Sequence, residues 1–233
     1  MECSPPSQSK SPRPTEPPLL LYGAASVVGL LTLGSLPFLV IPMLRGNALP
    51  YMNIPMSKYK TIFDEVLPRH MPRRRAGSPP LRFIDLGHGM GEAVVNAAQR
   101  GYIATGVELN PTLYLLSICN VWRHGLLWPL EPRVRLVYGN MWRKDMELGR
   151  QDVILMFGVQ SLMTRLAERL RSEAQHDALV VLYRFKLDLR SRASPTGAAL
   201  REITGRDGSD EQAEIKILEV TEDGFSVYRI KKK

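Results

Sequence analysis

The pattern of hydrophobic and polar positions divides the chain into four segments. Residues 1–18 are rich in proline, serine and charge without apolar periodicity, which is typical of a disordered segment. Residues 19–44 carry no charged side chain. Residues 45–80 combine a short amphipathic helix pattern at 56–67 with a basic, proline-rich linker. From residue 81 to residue 233 the pattern alternates between strand and helix periods, which predicts the folded domain.

The uncharged run 19–44 predicts a transmembrane anchor. Its 26 residues exceed the roughly 20 that an apolar helix needs to cross a bilayer. The run is longer than the core of a cleaved signal peptide, and the segment before it is near neutral. Basic residues follow from Arg45 onwards, so the positive-inside tendency predicts that the rest of the chain stays on the cytoplasmic or matrix-like side. The alternative is a buried helix of a soluble domain.

The folded domain is predicted to contain a mostly parallel sheet with helices on both faces. Strand patterns lie at 81–86, 102–107, 134–138, 152–157 and 178–185, and helix patterns lie between them at 91–100, 111–124 and 162–174. This alternation indicates an α/β, doubly wound fold. A polar loop is predicted at 187–213. Two more strand patterns, at 215–220 and 225–230, flank a turn with glycine and predict an antiparallel hairpin that closes the sheet.

A glycine-rich turn follows the first predicted strand and carries the strongest functional signal. Asp85 ends the strand, the turn contains Gly87, Gly89 and Gly91, and Glu108 ends the next strand. Glycines allow a tight turn and a close approach of the backbone to a ligand. Open parallel sheets bind ligands at the carboxyl ends of their strands, where a carboxylate can accept hydrogen bonds from ribose hydroxyls. The pattern therefore predicts a ligand that contains a nucleoside.

Two ligand classes contain such a ribose, namely the dinucleotides and S-adenosyl-L-methionine. The dinucleotide fingerprint would put Glu92 at its third glycine position, where bulk and negative charge oppose a pyrophosphate. S-adenosylmethionine has no phosphate, and Asp85 can attract its ammonium group. The pattern thus favours an S-adenosylmethionine-dependent methyltransferase. A dinucleotide enzyme and a glycine turn without any ligand are the alternatives.

Further residues are predicted to complete the cofactor and acceptor sites. Asn140, in the turn after the third strand, either offers its side-chain carbonyl to an adenine amino group or only favours the turn. His88 either lines the cofactor pocket or lies at its solvent edge. The candidate cofactor-binding residues are Asp85, Gly87, His88, Gly89, Gly91, Glu108, Leu109, Asn140, Met141 and Phe157. The candidate residues of the acceptor channel are Tyr59, Phe157 and Gln160, and no general base is indicated.

Composition and charge narrow the possible partners. The net charge is +8 and the pI about 9.7, with much of the excess at 69–75 and 229–233. These are flanks without interleaved aromatic residues, so a solvated or membrane-facing surface is favoured over nucleic-acid binding. The two cysteines, Cys3 and Cys119, lie far apart and outside any His/Cys cluster. Neither a disulfide framework nor a metal site is predicted.

The motif-bearing segments resemble a known enzyme family. DLGHGMGEAVVNAAQRGYIATGVELNP, together with PFLVIPMLRGNALPYMNIPMSK and FGVQSLM, is similar to the mitochondrial membrane-anchored protein-lysine N-methyltransferases that modify the ATP synthase c-subunit and the adenine nucleotide translocase. The resemblance extends over about residues 35–186. It implies a class I (Rossmann-like) methyltransferase fold with S-adenosyl-L-methionine as cofactor. It also implies a lysine of a membrane protein as acceptor, at the mitochondrial inner membrane with the catalytic domain on the matrix side.

Two other functions stay open at this point. The turn from His88 to Glu92 and the amide of Asn140 depart from the pattern of the resembling family, which usually reads DIGSGDGR in the turn and has an acidic residue near Trp142. A methyltransferase for a lipid, quinone-like or RNA acceptor is one alternative. A non-catalytic membrane scaffold that has the same fold is the other.

Overall fold

Alternating strands and helices build one mixed sheet in this computed structural model, which describes residues 26, 28–30, 32, 54–71, 75, 77–126, 133–189 and 213–232. The strands are β1 Arg82–Leu86, β2 Ile103–Glu108, β3 Val134–Tyr138, β4 Val153–Met156, β5 Leu179–Tyr183, β6 Glu214–Val220 and β7 Phe225–Lys231. Their order across the sheet is β3-β2-β1-β4-β5-β7-β6. Strands β1 to β5 pair in parallel, and β7 pairs antiparallel with both β5 and β6. The predicted α/β sheet with a closing hairpin is confirmed.

Helices cover both faces of the sheet, as a doubly wound fold requires. They are α1, composed of Met56–Lys60, a π-helical turn Thr61–Val66 and Leu67–His70, then α2 Glu92–Gln99, α3 Pro111–Arg123 and α4 Gln160–Glu173. Residues of α1, α2 and α3 pack in one core cluster, and residues of α4 pack in a second cluster on the other face. Asn110 caps α3 by accepting hydrogen bonds from the backbone of Thr112 and Leu113, as its position before a proline predicts.

Helix α1 has the predicted amphipathic character but continues beyond its predicted end. Its buried residues include Tyr59, Ile62, Phe63 and Val66, which share one face. The sequence predicted a linker from residue 68, whereas residues 67–70 form a further helical turn. The backbone stays helical through Pro68, which lies just after the π-helical turn, so this proline does not end the helix.

Ion pairs fix α1 at both sides. Lys58 pairs with Asp223 in the turn of the hairpin. Asp64 accepts from Arg100 at the end of α2, with 2.8 Å between its Oδ1 atom and the Arg100 Nε atom. The helix is therefore tied to both the first βα unit and the C-terminal hairpin, and it covers the sheet between them.

Most of the predicted anchor lies outside the described residues. Within 19–44 the structure describes residues 26, 28–30 and 32, which are helical. In the described part of the chain, no helix is long and apolar enough to cross a membrane. The predictions for residues 1–18, and for most of the loop at 187–213, also fall outside the described ranges and stay predictions.

Candidate cofactor and acceptor site

The glycine turn lies between β1 and α2 and needs glycine at each of its three glycine positions. Gly87, Gly89 and Gly91 have φ values of 101°, 56° and 79°, in the left-handed region that side chains with a Cβ rarely adopt. Gly91 also faces α3, where an added Cβ would lie 3.1 Å from the Cβ atom of Ser117. The backbone N–H groups of Gly87 and His88 both donate to the carbonyl of Val107. The turn is thus fixed on the end of β2.

Glu108 connects the end of β2 to the turn through its carboxylate. Its Oε2 atom accepts from the backbone N of Gly89 at 2.9 Å, and its Oε1 atom accepts from the backbone N of Asn110 at 2.7 Å. The residue is only 8% exposed, and this burial raises the pKa of Glu108, while the backbone hydrogen bonds from Asn110, Gly89 and Leu109 act to lower it. A carboxylate offers about four acceptor positions, so acceptor capacity remains for a ribose hydroxyl.

Asp85 is the second buried acid of the site. It is 6% exposed, and burial raises the pKa of its carboxyl to about 8, with the neighbouring Glu108 carboxylate adding to the rise. Two carboxyl groups held close together in an apolar environment favour a ligand that brings positive charge. From Asp85 to Gln99 the sequence contains no lysine or arginine. This environment fits the sulfonium and ammonium groups of S-adenosylmethionine and opposes a pyrophosphate.

His88 lies inside the site and not at its solvent edge. It is 5% exposed, and both ring nitrogens are buried without a hydrogen-bond partner. Burial lowers the pKa of the imidazole to about 4, so the ring is neutral near pH 7. The ring packs against Gly106 of β2, where an added Cβ would lie 2.5 Å from the Cδ2 atom of His88. Its burial rules out the solvent-edge interpretation of His88, and its role in a cofactor pocket stays a prediction.

The loop after β3 carries the predicted adenine-side residues. The Oδ1 atom of Asn140 accepts from the backbone N of Trp142 at 3.0 Å, so the carbonyl proposed for adenine already stabilises the turn. Met141 is partly buried against the core cluster of α4. Gly139 donates its N–H to the backbone carbonyl of Glu108 at 2.9 Å, which brings this loop next to the ribose-side carboxylate.

The predicted acceptor-channel residues are only partly brought together. Tyr59 of α1 is buried, and Phe157, which follows β4, packs against the same core cluster. Gln160 is the first residue of α4 and is exposed. Leu109, predicted on the cofactor side, is also exposed, although it directly follows Glu108. Tyr59 and Phe157 therefore belong to one core cluster, whereas Gln160 and Leu109 lie at the surface.

In the described ranges, no group of three or more histidine, cysteine, aspartate or glutamate residues could hold a metal ion. The chemistry that the described site supports is the binding of a cationic nucleoside at the ends of β1 and β2. At the ends of β4 and β5, the rings of Phe157 and Tyr183 pack against each other in a tilted arrangement with centroids 5.3 Å apart.

Sequence comparison identifies the family. Residues 85–192 match the ANTKMT methyltransferase domain. A lysine N-methyltransferase of the ATP synthase c-subunit, from Caenorhabditis elegans, is 30% identical over 171 residues, which cover 72% of this chain and 84% of that protein. The chain belongs to the ANTKMT family of lysine N-methyltransferases.

A second relative agrees with this family assignment, and a solved structure is similar in fold. The protein of the same name from Xenopus laevis is 32% identical over 146 residues, covering 63% of this chain and 58% of the relative. The chain thus spans less than two thirds of that relative's length. A putative S-adenosyl-L-methionine-dependent methyltransferase from Methanococcus maripaludis superposes with a TM-score of 0.50 at 14% identity, covering 77% of this chain and 86% of that one. That likeness concerns the fold, and it confirms the Rossmann-like methyltransferase class.

Sequence reasoning missed Arg169 of α4, which supports the adenine-side loop of this ANTKMT family member. Arg169 is buried and donates hydrogen bonds to the backbone carbonyls of Met141 and, at 2.6 Å, Arg143. It also pairs with Glu173 at 2.9 Å. An Arg–Glu pair four residues apart is typical of an exposed helix face, so the sequence carried no signal of its burial.

Tyr183 is the second residue that the sequence did not assign to the site. It ends β5, is buried, and packs between the tilted rings of Phe157 and Phe225, with centroid distances of 5.3 and 5.0 Å. Arg184 follows in a left-handed conformation, with a φ of 70°. The signal that could have identified Tyr183 is its place at the carboxyl end of a central strand, next to the strand that precedes Phe157.

Proposed function

We propose that the chain is an S-adenosyl-L-methionine-dependent protein-lysine N-methyltransferase that acts on a membrane protein. The observation that carries the proposal is the pair of buried acids, Asp85 and Glu108, held on a left-handed glycine turn. The similarity to enzymes named as lysine N-methyltransferases of the ATP synthase c-subunit supports a lysine acceptor, and it suggests a small membrane protein of that kind as the substrate.

Each part of the cofactor would meet a different element of the site. The free acceptor positions of Glu108 would hold the ribose hydroxyls, and Asp85 would hold the ammonium group, directly or through water. The backbone of Gly87, Gly89 and Gly91 would pass close to the cofactor, since no Cβ intervenes. His88 is neutral, so it would line the pocket without repelling a cation. Asn140 and Met141 would border the adenine.

The acceptor side would work mainly by orientation and exclusion of water. When bound, S-adenosylmethionine supplies a methyl group on a positively charged sulfur, and the lysine amine displaces that sulfur. The amine must first lose its proton, and an apolar wall favours its neutral form because burial lowers the pKa of an amine. Tyr59 and Phe157 are the aromatic residues that would form this wall, and Gln160 would stand at its entrance. Holding donor and acceptor in line accounts for most of the rate gain expected of such a site.

The membrane location is part of the same proposal. The uncharged run 19–44 would anchor the chain, and the basic residues after it favour the matrix side of the mitochondrial inner membrane for the catalytic domain. An anchor would confine the enzyme to the bilayer that holds its substrate, which raises the effective concentration of the acceptor lysine without any further contact.

The proposal is tested by methyl transfer with the full chain, purified in detergent and inserted into the membranes that hold its acceptor. Purified protein and radiolabelled S-adenosylmethionine are added to mitochondrial membranes from cells that lack the enzyme, and label is counted separately in protein, lipid and RNA fractions. The Glu108→Gln protein serves as the inactive control. Label in one small membrane protein, released as methyl-lysine on hydrolysis and absent with the control, is the expected result.

Other outcomes would support one of the alternative functions. Label in lipid or RNA that depends on Glu108 would keep the cofactor site and refute the lysine acceptor. No label in any fraction, together with no calorimetric binding of the cofactor, would refute the enzyme and leave the scaffold. Label in a soluble protein alone would refute the membrane acceptor.

A further inference from the structure

Helix α3 presents an apolar stripe to its surroundings. Leu115, Cys119 and Trp122 recur at the spacing of one helix face, and Leu116 lies beside them. Leu115 is 60% exposed and Trp122 is 67% exposed. The buried residues of α3 are Ser117 and Val121, so the opposite side of the same helix faces the core. An exposed stripe of this composition on an otherwise packed helix indicates an interaction surface.

The charges of α3 indicate which kind of partner it fits. The helix contains no aspartate or glutamate, and its charged residue is Arg123 at the last position. Leucine and tryptophan are favoured at the boundary between headgroups and acyl chains, and basic side chains are attracted to anionic lipids. The exposed apolar residues of β6 differ, because they alternate with Glu214, Lys216 and Glu219. The stripe on α3 thus consists of exposed apolar side chains on a helix without acidic residues, which is not the case for β6.

The residues at the start of the folded domain, from Ile54, lie on the same face of the sheet as α3. Ile54 and Tyr59 belong to the same core cluster as Val121 of α3. The side chain of Asn96 on α2, the helix next to α3, contacts the sulfur of Met56 at 3.8 Å. Nine residues, 45–53, separate the uncharged run from Ile54, and a fully extended chain of that length spans about 32 Å.

We propose that α3 docks on the surface of an anionic bilayer, with Leu115, Cys119 and Trp122 inserted at the headgroup boundary. This inference rests on the proposed membrane location. The cap residue of α3, Asn110, donates its backbone N–H to Glu108, so docking of α3 holds the cofactor site beside the bilayer that contains the acceptor. The function of the stripe is then to orient the mouth of the site towards a lysine near the membrane surface.

Cys119 is an exposed thiol on the stripe, which makes the proposal directly measurable. The full chain with Cys3→Ser is reconstituted in vesicles of phosphatidylcholine with cardiolipin, and labelling by a membrane-impermeant maleimide is followed over time. The control carries Lys144→Cys in a Cys3→Ser, Cys119→Ser background. Lys144 is exposed in a turn whose residues Met146 and Leu148 pack in the core cluster on the other face of the sheet. Labelling of Cys119 is expected to be slower than that of the control by about tenfold or more.

A second variant separates docking from folding. Leu115→Glu with Trp122→Glu puts two carboxylates on the stripe, and it is expected to restore the labelling of Cys119 to the rate of the control. Its cofactor affinity and thermal midpoint should match those of the parent, because both residues are exposed and neither is part of the cofactor site.

Each remaining outcome overturns the docking of α3. Equal labelling of Cys119 and the control in vesicles would mean that α3 faces water. Protection that increases with protein density at constant lipid would indicate a second copy on the stripe. Protection that persists in amphipol without lipid would indicate that another part of the chain covers it. Vesicle flotation and cofactor binding are measured on the same samples, and methyl transfer is measured with the same variants inserted into mitochondrial membranes from cells that lack the enzyme. A chain that floats, binds and transfers while Cys119 stays reactive refutes the docking alone, and a chain that does not float refutes the membrane location as well.

Discussion

Replacing Asp85 by asparagine should stabilise the fold and weaken the cofactor site. Burial raises the pKa of this carboxyl to about 8 from an ordinary value of 3.8. Between those two pH values the folded state binds more protons than the unfolded state, so stability falls as pH rises through this window. Keeping a carboxyl of ordinary pKa 3.8 protonated at pH 7 costs about 4 kcal/mol. Because the folded state requires this of Asp85, the cost lowers the free energy of unfolding.

Asparagine removes this titration but not the need to bury a polar group. A buried amide without full hydrogen bonding costs about 1–3 kcal/mol. We therefore expect Asp85→Asn to gain about 1–3 kcal/mol in the free energy of unfolding at pH 7–8 and to raise Tm by several degrees. The gain should shrink as pH is lowered towards 5, because keeping the wild-type carboxyl protonated in the folded state costs less as the solution pH approaches its ordinary pKa of 3.8.

Cofactor binding should change in the opposite direction. A hydrogen bond to a charged group contributes about 1.5–3 kcal/mol, so loss of the carboxylate should weaken S-adenosylmethionine binding by about 10- to 100-fold. In the wild type, the ammonium group favours the ionised form of Asp85 and lowers its pKa in the complex. Binding then releases a proton below about pH 8, and affinity should rise with pH up to that value. In Asp85→Asn this pH dependence should disappear.

Thermal melting from pH 5 to pH 9 and calorimetric titration in two buffers of different ionisation enthalpy measure both effects. Asp145→Asn, an exposed carboxyl paired with Arg143, is the matched control and should change neither quantity appreciably. Lower stability of Asp85→Asn at pH 8 would show that the carboxylate supports the fold and would refute the reasoning. Unchanged affinity would show that the cofactor does not use this carboxylate.

Further substitutions test the other parts of the site. Glu108→Gln should weaken S-adenosylhomocysteine binding by about tenfold or more, measured by calorimetry, because the new NH2 group cannot accept from a backbone N–H or a ribose hydroxyl. Gly106→Ala should lower the free energy of unfolding by about 1–3 kcal/mol and weaken cofactor binding, since its Cβ would overlap the His88 ring, and unchanged values in both assays would contradict the packing. Arg169→Met should leave the backbone carbonyls of Met141 and Arg143 without a donor. It should therefore weaken cofactor binding by about tenfold and alter the tryptophan emission spectrum. Loss of stability at normal affinity would limit Arg169 to a structural role. Arg184→Gly should gain about 1 kcal/mol in urea unfolding because glycine adopts a φ of 70° freely, and a loss would mean that the guanidinium stabilises the fold.

The sheet was predictable from the sequence because its central strands have an unambiguous pattern. The four residues of β4, Val153–Met156, and the five of β5, Leu179–Tyr183, are all buried, and continuous apolar runs are what a central parallel strand requires. The hairpin followed from a glycine turn between two strand patterns. The conformation of the glycine turn between Asp85 and Glu108 was also predictable, since left-handed backbone positions favour glycine, and the ribose assigned to it stays a prediction.

Tertiary contacts explain what the sequence could not predict. Pro68 indicated the end of α1, but it lies just after the π-helical turn, and the helix continues through it to His70. His88 had two possible environments, and only its packing on Gly106 distinguishes them. Asn140 matched an adenine-binding position, yet its carbonyl oxygen accepts from the backbone of its own turn. Such choices depend on neighbours that are distant in sequence.

Calorimetric titration of the full chain with S-adenosylmethionine and, separately, with a nicotinamide dinucleotide tests the central claim most directly. The two buried acids and the absence of a basic side chain from Asp85 to Gln99 predict tight binding of the cationic cofactor. No measurable binding of the dinucleotide is expected. Binding of the dinucleotide, or failure of S-adenosylmethionine to bind a correctly folded chain, would contradict the account.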